Sequence, residues 1–166
     1  MSVEVVKEYL KAWGKGDSVL EFKESCATVD LAASAVGVEP ARIAKTLSFK
    51  APGDVDASSC ILVVAAGDAR IDGRKFKECF GVKSKMLSPE EAFACTGHQV
   101  GGVCPFAITN PGVRICLDVS LKRFSTVFPA CGSSNSMTEL TCDELFAISG
   151  AKEWVDVCKN WQEAEA

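Results

Sequence analysis

The run Cys60-Ile-Leu-Val-Val-Ala-Ala66 is apolar at every position. Strands open to water on one face alternate apolar and polar residues, so an unbroken run of this length reads as a strand covered on both faces. It is far too short to cross a bilayer, which takes roughly 20 residues. Upstream, Thr46–Phe49 reads as a neighbouring strand, entered from a helical turn over Glu39–Ala44. The Pro-Gly-Asp of the Ala51–Ala57 loop reads as the turn between the two strands. Downstream, Asp72 is placed to cap a helix running to Phe80 and stopping at Gly81. Ser88-Pro-Glu-Glu91 joins a Ser cap, a first-turn proline and a returning glutamate, so it predicts a helix start, with an end near Gly97.

Further strands are predicted at Val113–Asp118, Thr126–Ala130 and Met137–Leu140. Thr141-Cys-Asp-Glu144 repeats the capping-box pattern and opens a final helix closed by Gly150. At the other end, Val3, Val6, Leu10 and Trp13 recur at helical spacing, and Gly14-Lys-Gly-Asp17 ends that helix. Val19–Phe22 reads as a short strand. Thr28 is an N-cap for a helix through Ala35, stopped by Gly37. Strands and helices alternate irregularly, which predicts a mixed α/β domain with one central curved sheet and helices packed around it. No repeat, low-complexity tract or long linker divides the chain, and 166 residues suit a single domain over 1–166.

The composition is 48% apolar and 24% charged, enough to bury a core. The N-terminus lacks the basic-then-apolar order of a secretory signal, so a soluble cytoplasmic protein without membrane contact is expected. The nine cysteines include no CxxC pair, and several sit inside apolar runs; they read as reduced core thiols. With one histidine and no close ligand pairs, neither a metal nor a cofactor is expected. A net charge of −4 argues against a general nucleic-acid binder. Yet the stretch Arg70–Lys85 holds six basic residues (Arg70, Arg74, Lys75, Lys77, Lys83, Lys85) against Asp72 and Glu78, a local balance of +4. By itself it reads as a solvated helix face, and it gains meaning only beside a phosphate-bearing substrate.

Three segments carry chemistry. Thr96-Gly-His-Gln-Val-Gly-Gly-Val-Cys-Pro-Phe106 crowds glycines and a proline after a helix, which specifies backbone shape. Successive N–H groups there form a cradle for a phosphate or developing oxyanion, or the loop is simply a tight connection into the next strand. It is neither a phosphate-binding loop with Gly-Lys-Ser/Thr nor a dinucleotide fingerprint. Lys45 stands at the mouth of an otherwise apolar strand, where it either meets a phosphate or carbonyl or snorkels to solvent. Ala130-Cys-Gly-Ser-Ser-Asn-Ser136 is a hydroxyl- and amide-rich turn, fit to bond a ribose or amino group, though most such turns are only turns. No side-chain triad is evident. His98 lacks an identifiable nucleophile and is expected at the loop surface. Cys104 would need an activating base and a lowered pKa to react, so it is expected as a pocket wall.

Taken together, Lys45-Thr-Leu, the GxxxP loop Gly101–Pro105 and the 130–136 turn resemble the YbaK family, which includes the prolyl-tRNA synthetase insertion domain. The resemblance extends from Glu24 to the last helix. It implies an aminoacyl-tRNA deacylase on a curved, largely antiparallel mixed sheet, with mischarged tRNA as partner, prolyl-tRNA synthetase as a second, and a monomer or homodimer left open. It implies Lys45 and Gly101 as the catalytic residues, Lys45 at the tRNA 3′ end and the Gly101 backbone at the ester carbonyl. Phe22, Thr46, Gly102, Val103, Cys104, Pro105, Gly132, Ser133, Asn135 and Ser136 are then expected around the substrate. Arg70, Arg74, Lys75 and Lys77 are expected on acceptor-stem phosphates. Members acting on Cys-tRNA carry serine where Cys104 stands and a Gly-Gly-Lys-Arg-Gly type turn at 131–136. The chain resembles more closely the branch that edits small residues such as alanine. The alternative is a catalytically silent tRNA- or synthetase-binding module of the same fold.

Overall fold

The computed structural model describes residues 2–53 and 58–161. Helix α1 (Val3–Lys11) starts where the Ser2 hydroxyl accepts the Val5 N–H, and it buries Val6 and Leu10. Trp13 lies past the helix end and is exposed, so the apolar stripe stops one turn earlier than its spacing predicts. The short strand β1 (Leu20–Glu21) leads to α2 (Val29–Val36), capped by the Thr28 hydroxyl on Leu31 N–H. A 3-10 turn over Pro40–Arg42 enters β2 (Ile43–Lys50), followed by β3 (Cys60–Ala66) and β4 (Arg70–Ile71). Of the Ala51–Ala57 loop, positions 54–57 lie outside the described residues.

Asp72 caps α3 (Gly73–Phe80) by accepting the N–H groups of Arg74 and Lys75, and a full Ser88–Glu91 capping box opens α4 (Pro89–Thr96). Then come β5 (Val113–Asp118), a 3-10 turn over Val119–Arg123, β6 (Thr126–Pro129), β7 (Ser136–Met137) and β8 (Leu140–Thr141). The reciprocal Thr141–Glu144 box starts α5 (Cys142–Ser149), and β9 (Glu153–Val155) and β10 (Cys158–Lys159) complete the chain. Among the described residues no helix is long and apolar enough to cross a membrane.

The main sheet is mixed and curved, in the order β8-β6-β2-β3-β5-β9. Its longest ladder is antiparallel, β2 on β3, while β6 joins β2 and β5 joins β3 in parallel. Two antiparallel ribbons, β1 with β7 and β4 with β10, flank it. The predicted strand Met137–Leu140 divides into two: β7 pairs with β1, and after Thr138 donates its N–H to Pro129 O, β8 pairs with β6. β9 and β10, which carry few apolar residues in a row, were not foreseen; they are held by buried Asp118, whose carboxylate accepts the N–H groups of Ser120 and Val157.

Every residue of β3 is buried, as the apolar run predicts. The strand is the axis of the larger core, with the rings of Phe49, Phe76 and Phe80 packed in series at a tilt of 52°, centroids 4.8 and 4.6 Å apart. A smaller cluster of Ala32, Ala33, Ile43, Phe128 and Met137 lies between α2 and the β2–β6 junction, with Phe22 packed on it. Leu62, fully buried on β3, has no room to be replaced by a smaller residue without a cavity. Leu62→Ala is expected to cost about 3 kcal/mol and lower Tm by roughly 6–12 °C, read by thermal unfolding.

Candidate active site

The sheet opens at one place. β6 pairs with β2 only at Ile43 and Ala44, and the segment 85–87 bonds β2 again only from Ser48 onward. Between them lies a cleft of about 350 Å³, walled by β2, the start of α2, the start of α4 and the loop after α4. Most of its lining is apolar, including Val29, Leu47, Leu87, Val103 and Phe128, and Lys45 is the one charged residue among those lining it.

Lys45 sits half-buried on β2, and its ammonium donates to the carbonyls of Gly67 (3.3 Å) and Ala69. Two of its three protons are thereby placed, and one remains for a ligand. Burial lowers its pKa; nearby Arg70 adds to the effect and Asp68 opposes it. Gly67 packs directly on the chain at Pro40, where a Cβ would lie 2.1 Å from the Pro40 carbonyl oxygen. Only glycine fits so close an approach.

The loop after α4 is built on two crossings. Gly101 adopts φ +89° and lines the cleft, and its N–H takes no partner among the described residues. Gly102 donates its N–H to Gln99 O at 3.0 Å, so that group is engaged in the turn. A Cβ on Gly102 would meet the Ser133 backbone at 2.8 Å, so this glycine lets the loop touch the 130–136 turn. Beneath them Cys104 is fully buried, with the backbone of Phe106 on one loop and of Gly132 on the other close enough to act on its thiol.

His98 is not at the loop surface. It is fully buried, with its backbone N–H on Thr96 Oγ1 and its Nε2 2.9 Å from Phe106 O. Because a carbonyl only accepts, Nε2 carries the proton, and Nδ1 has no partner among the described residues. The bond joins the two ends of the glycine loop. Cys104 Sγ lies 3.5 Å from the same nitrogen, an arrangement with the outline of a thiol–imidazole pair. Its electrostatics oppose that use: burial pushes the Cys104 thiol up to about 12 and holds the imidazole below its ordinary value. Both groups stay neutral, and neither lines the cleft.

The remaining expected residues fall into two groups. Thr46, Val103 and Gly101 line the cleft with Lys45. Ser133, Asn135 and Ser136 spend their polar groups within the chain: Asn135 Nδ2 donates to Phe22 O, and Ser133 Oγ bonds Asn135 Oδ1 and Ser136 Oγ. With Gly132, whose Cβ position is filled by Val6 and Ser2, they fasten the cleft floor to α1 and β1. Phe22, Cys104 and Pro105 stand behind the lining. Of the basic residues, Arg70 neighbours Lys45, whereas Arg74 pairs with Glu78 and Lys75 with Asp156, and Lys77 lies on the last turn of α3. The sequence reading missed Met86 and Val100, 57% and 70% exposed, which form the apolar rim. Their exposed side chains leave no periodic signal.

The neutral, buried His98 links stability to acidity. Its folded pKa lies below the ordinary 6.5, so its contribution is complete above that pH and is lost as the pH falls, when only the unfolded chain takes up the proton. At about pH 5.5 the loss reaches at most about 1.4 kcal/mol. Denaturant unfolding at about pH 7.5 and 5.5 is expected to show a smaller pH effect in His98→Asn than in the parent. Equal pH effects in the two proteins would count against the buried neutral state.

The fold recurs in other proteins. The chain is 51% identical over 162 residues to YwhH of Bacillus subtilis (strain 168), covering 98% of this chain and all of that one. A solved structure described as a candidate trans-editing enzyme for prolyl-tRNA synthetase is 30% identical, with a TM-score of 0.82 over 95% of this chain and 96% of that one. The crystal structure of the protein APE2540 is 30% identical, with a TM-score of 0.80 over 94% and 100% of the two chains. The profile of the aminoacyl-tRNA editing domain matches residues 23–148, which takes in the whole cleft from α2 to β7. The chain belongs to the aminoacyl-tRNA editing domain family.

Proposed function

We propose that the protein hydrolyses the ester between a small non-cognate amino acid and the 3′ adenosine of a mischarged tRNA, acting in trans, with Ala-tRNA(Pro) preferred over Cys-tRNA(Pro). The observation that carries this reading is a single cation, Lys45, in an apolar cleft shared with the free Gly101 N–H. An aminoacyl ester is already activated, so positioning plus a donor at the developing oxyanion suffices without a side-chain nucleophile. The third proton of Lys45 meets the 3′ end of the tRNA, Gly101 N–H holds the ester carbonyl, and water attacks. Gly102 contributes through shape, because its N–H already serves Gln99. The neutral Cys104 takes no part in bond making.

The apolar lining favours a methyl-sized side chain over a charged one. Arg70, close enough to lower the Lys45 pKa, is a basic group for the acceptor-stem phosphates, with Arg74, Lys75 and Lys77 further along α3. The surface ion pairs that hold Arg74 and Lys75 open at little cost. This reading makes tRNA(Pro) the nucleic-acid partner, prolyl-tRNA synthetase the enzyme whose errors are corrected, and the cytoplasm the place of action.

The test is a panel of tRNAs charged with alanine, cysteine, serine and proline, with release of amino acid followed over time. Alanine is expected to leave tRNA(Pro) fastest and proline slowest. Lys45→Ala is expected to lower kcat/KM by on the order of a hundredfold, the scale of one lost transition-state contact. Tight binding of every charged tRNA with release of none would instead identify a silent binding module.

A further inference from the structure

The cleft exposes a stretch of strand edge, and the phase of the ladder shows which backbone groups line it. Lys50 N–H donates to Lys85 O and Leu87 N–H to Ser48 O, so even-numbered residues of β2 turn their backbone groups away from β3. Two bonds on the far edge of β3 agree. Cys60, opposite Lys50, donates to Gly112 O, and Ala66, opposite Ala44, donates to Ser120 Oγ, so neither bonds β2. The alternation places the N–H and C=O of Thr46 on the open side. Pairing with β6 ends at Ala44–Pro129 and pairing with 85–87 starts at Ser48, so Thr46 has no strand beside it among the described residues. The interval from Ala44 to Ser48 is about 13 Å of strand. The Thr46 hydroxyl, also buried there, has no partner either.

An unpaired residue of this kind asks for a complement with one donor and one acceptor at the spacing of a single peptide residue. In an antiparallel ladder two facing residues exchange both their N–H···O bonds. An α-aminoacyl ester carries that set: an amino group, one carbon, and a carbonyl. The cleft lining holds no carboxylate to receive an amino group, and the outward-facing Thr46 carbonyl is an acceptor in the place where one is needed. Resting on the deacylase reading, we infer that the aminoacyl group docks as a one-residue strand on the β2 edge. Thr46 C=O accepts from its α-amino group, and Thr46 N–H donates to its ester carbonyl. This supplies the second oxyanion donor opposite Gly101, the place that Gly102 leaves vacant by bonding Gln99. No bond is made or broken by Thr46, which positions the substrate and polarises its carbonyl.

The test uses non-hydrolysable 3′-amino-3′-deoxyadenosine carrying L-alanyl, L-seryl, L-cysteinyl or, without an amino group, propionyl. With ¹⁵N-threonine-labelled protein, the aminoacyl compounds are expected to shift the Thr46 amide resonance downfield and slow its hydrogen exchange. The propionyl compound is expected to bind about tenfold more weakly than the alanyl one, the scale of one charge-assisted hydrogen bond. An unmoved Thr46 amide, or equal binding of propionyl and alanyl compounds, overturns the docking on the β2 edge. If the tRNA panel still shows release in that case, the deacylase reading stands alone. Absence of both release and binding by all four compounds overturns the two together.

Discussion

The structure depends on one constraint: β3 lies wholly inside the core, so each of its backbone groups must find a partner there. The demand is met by β2 along one edge and β5 along the other, with the Ser120 hydroxyl serving Ala66 N–H where β5 has ended. Strand β2 inherits a different condition. One edge is fully used by β3, but the other is shared between two short partners that do not meet. The cleft is therefore the unpaired remainder of a sheet whose centre is saturated, and its position follows from the ladder rather than from a loop.

That origin explains its chemistry. The interior supplies apolar walls, the exposed backbone supplies donors and acceptors, and one lysine supplies charge. The one thiol among the described lining residues, Cys26, donates to Glu24 O, and burial and the Glu24 carboxylate push its pKa up, away from the thiolate. Behind the lining, Cys104 and His98 touch each other yet are kept neutral by burial, and they act on the glycine loop from that side. A site of this composition suits a reaction in which the substrate brings its own reactivity and the protein brings geometry.

Much of this was legible in the sequence, for identifiable reasons. Capping residues act locally, so Thr28, Asp72, Ser88 and Thr141 mark helix starts that the structure places where the pattern puts them. The unbroken run at 60–66 announces burial for the same reason. The strands after α5 gave no local signal, since the turn between them is held by the distant carboxylate of Asp118. His98 misled because a polar residue in a glycine-rich loop looks exposed, and only the carbonyl of Phe106 across the loop makes its burial tolerable. The roles of the site residues were the least legible part. A sequence names Ser133 or Gly102 but does not say that their polar groups are already spent on neighbours.

Lys45 is oriented by two peptide carbonyls, those of Gly67 and Ala69, and not by an acidic side chain. A carboxylate partner could be lost through one substitution, leaving the ammonium adrift; a main-chain partner is retained through any substitution that leaves the backbone path unchanged, a freedom that Gly67, packed on Pro40, does not share. The vulnerable property is instead the length of the connection between β3 and β4, because one inserted or deleted residue would carry both carbonyls away together. Over evolutionary time the residue count of that turn should be held more strictly than the identity of Asp68, whereas Ala69 stays small because it is buried in the core.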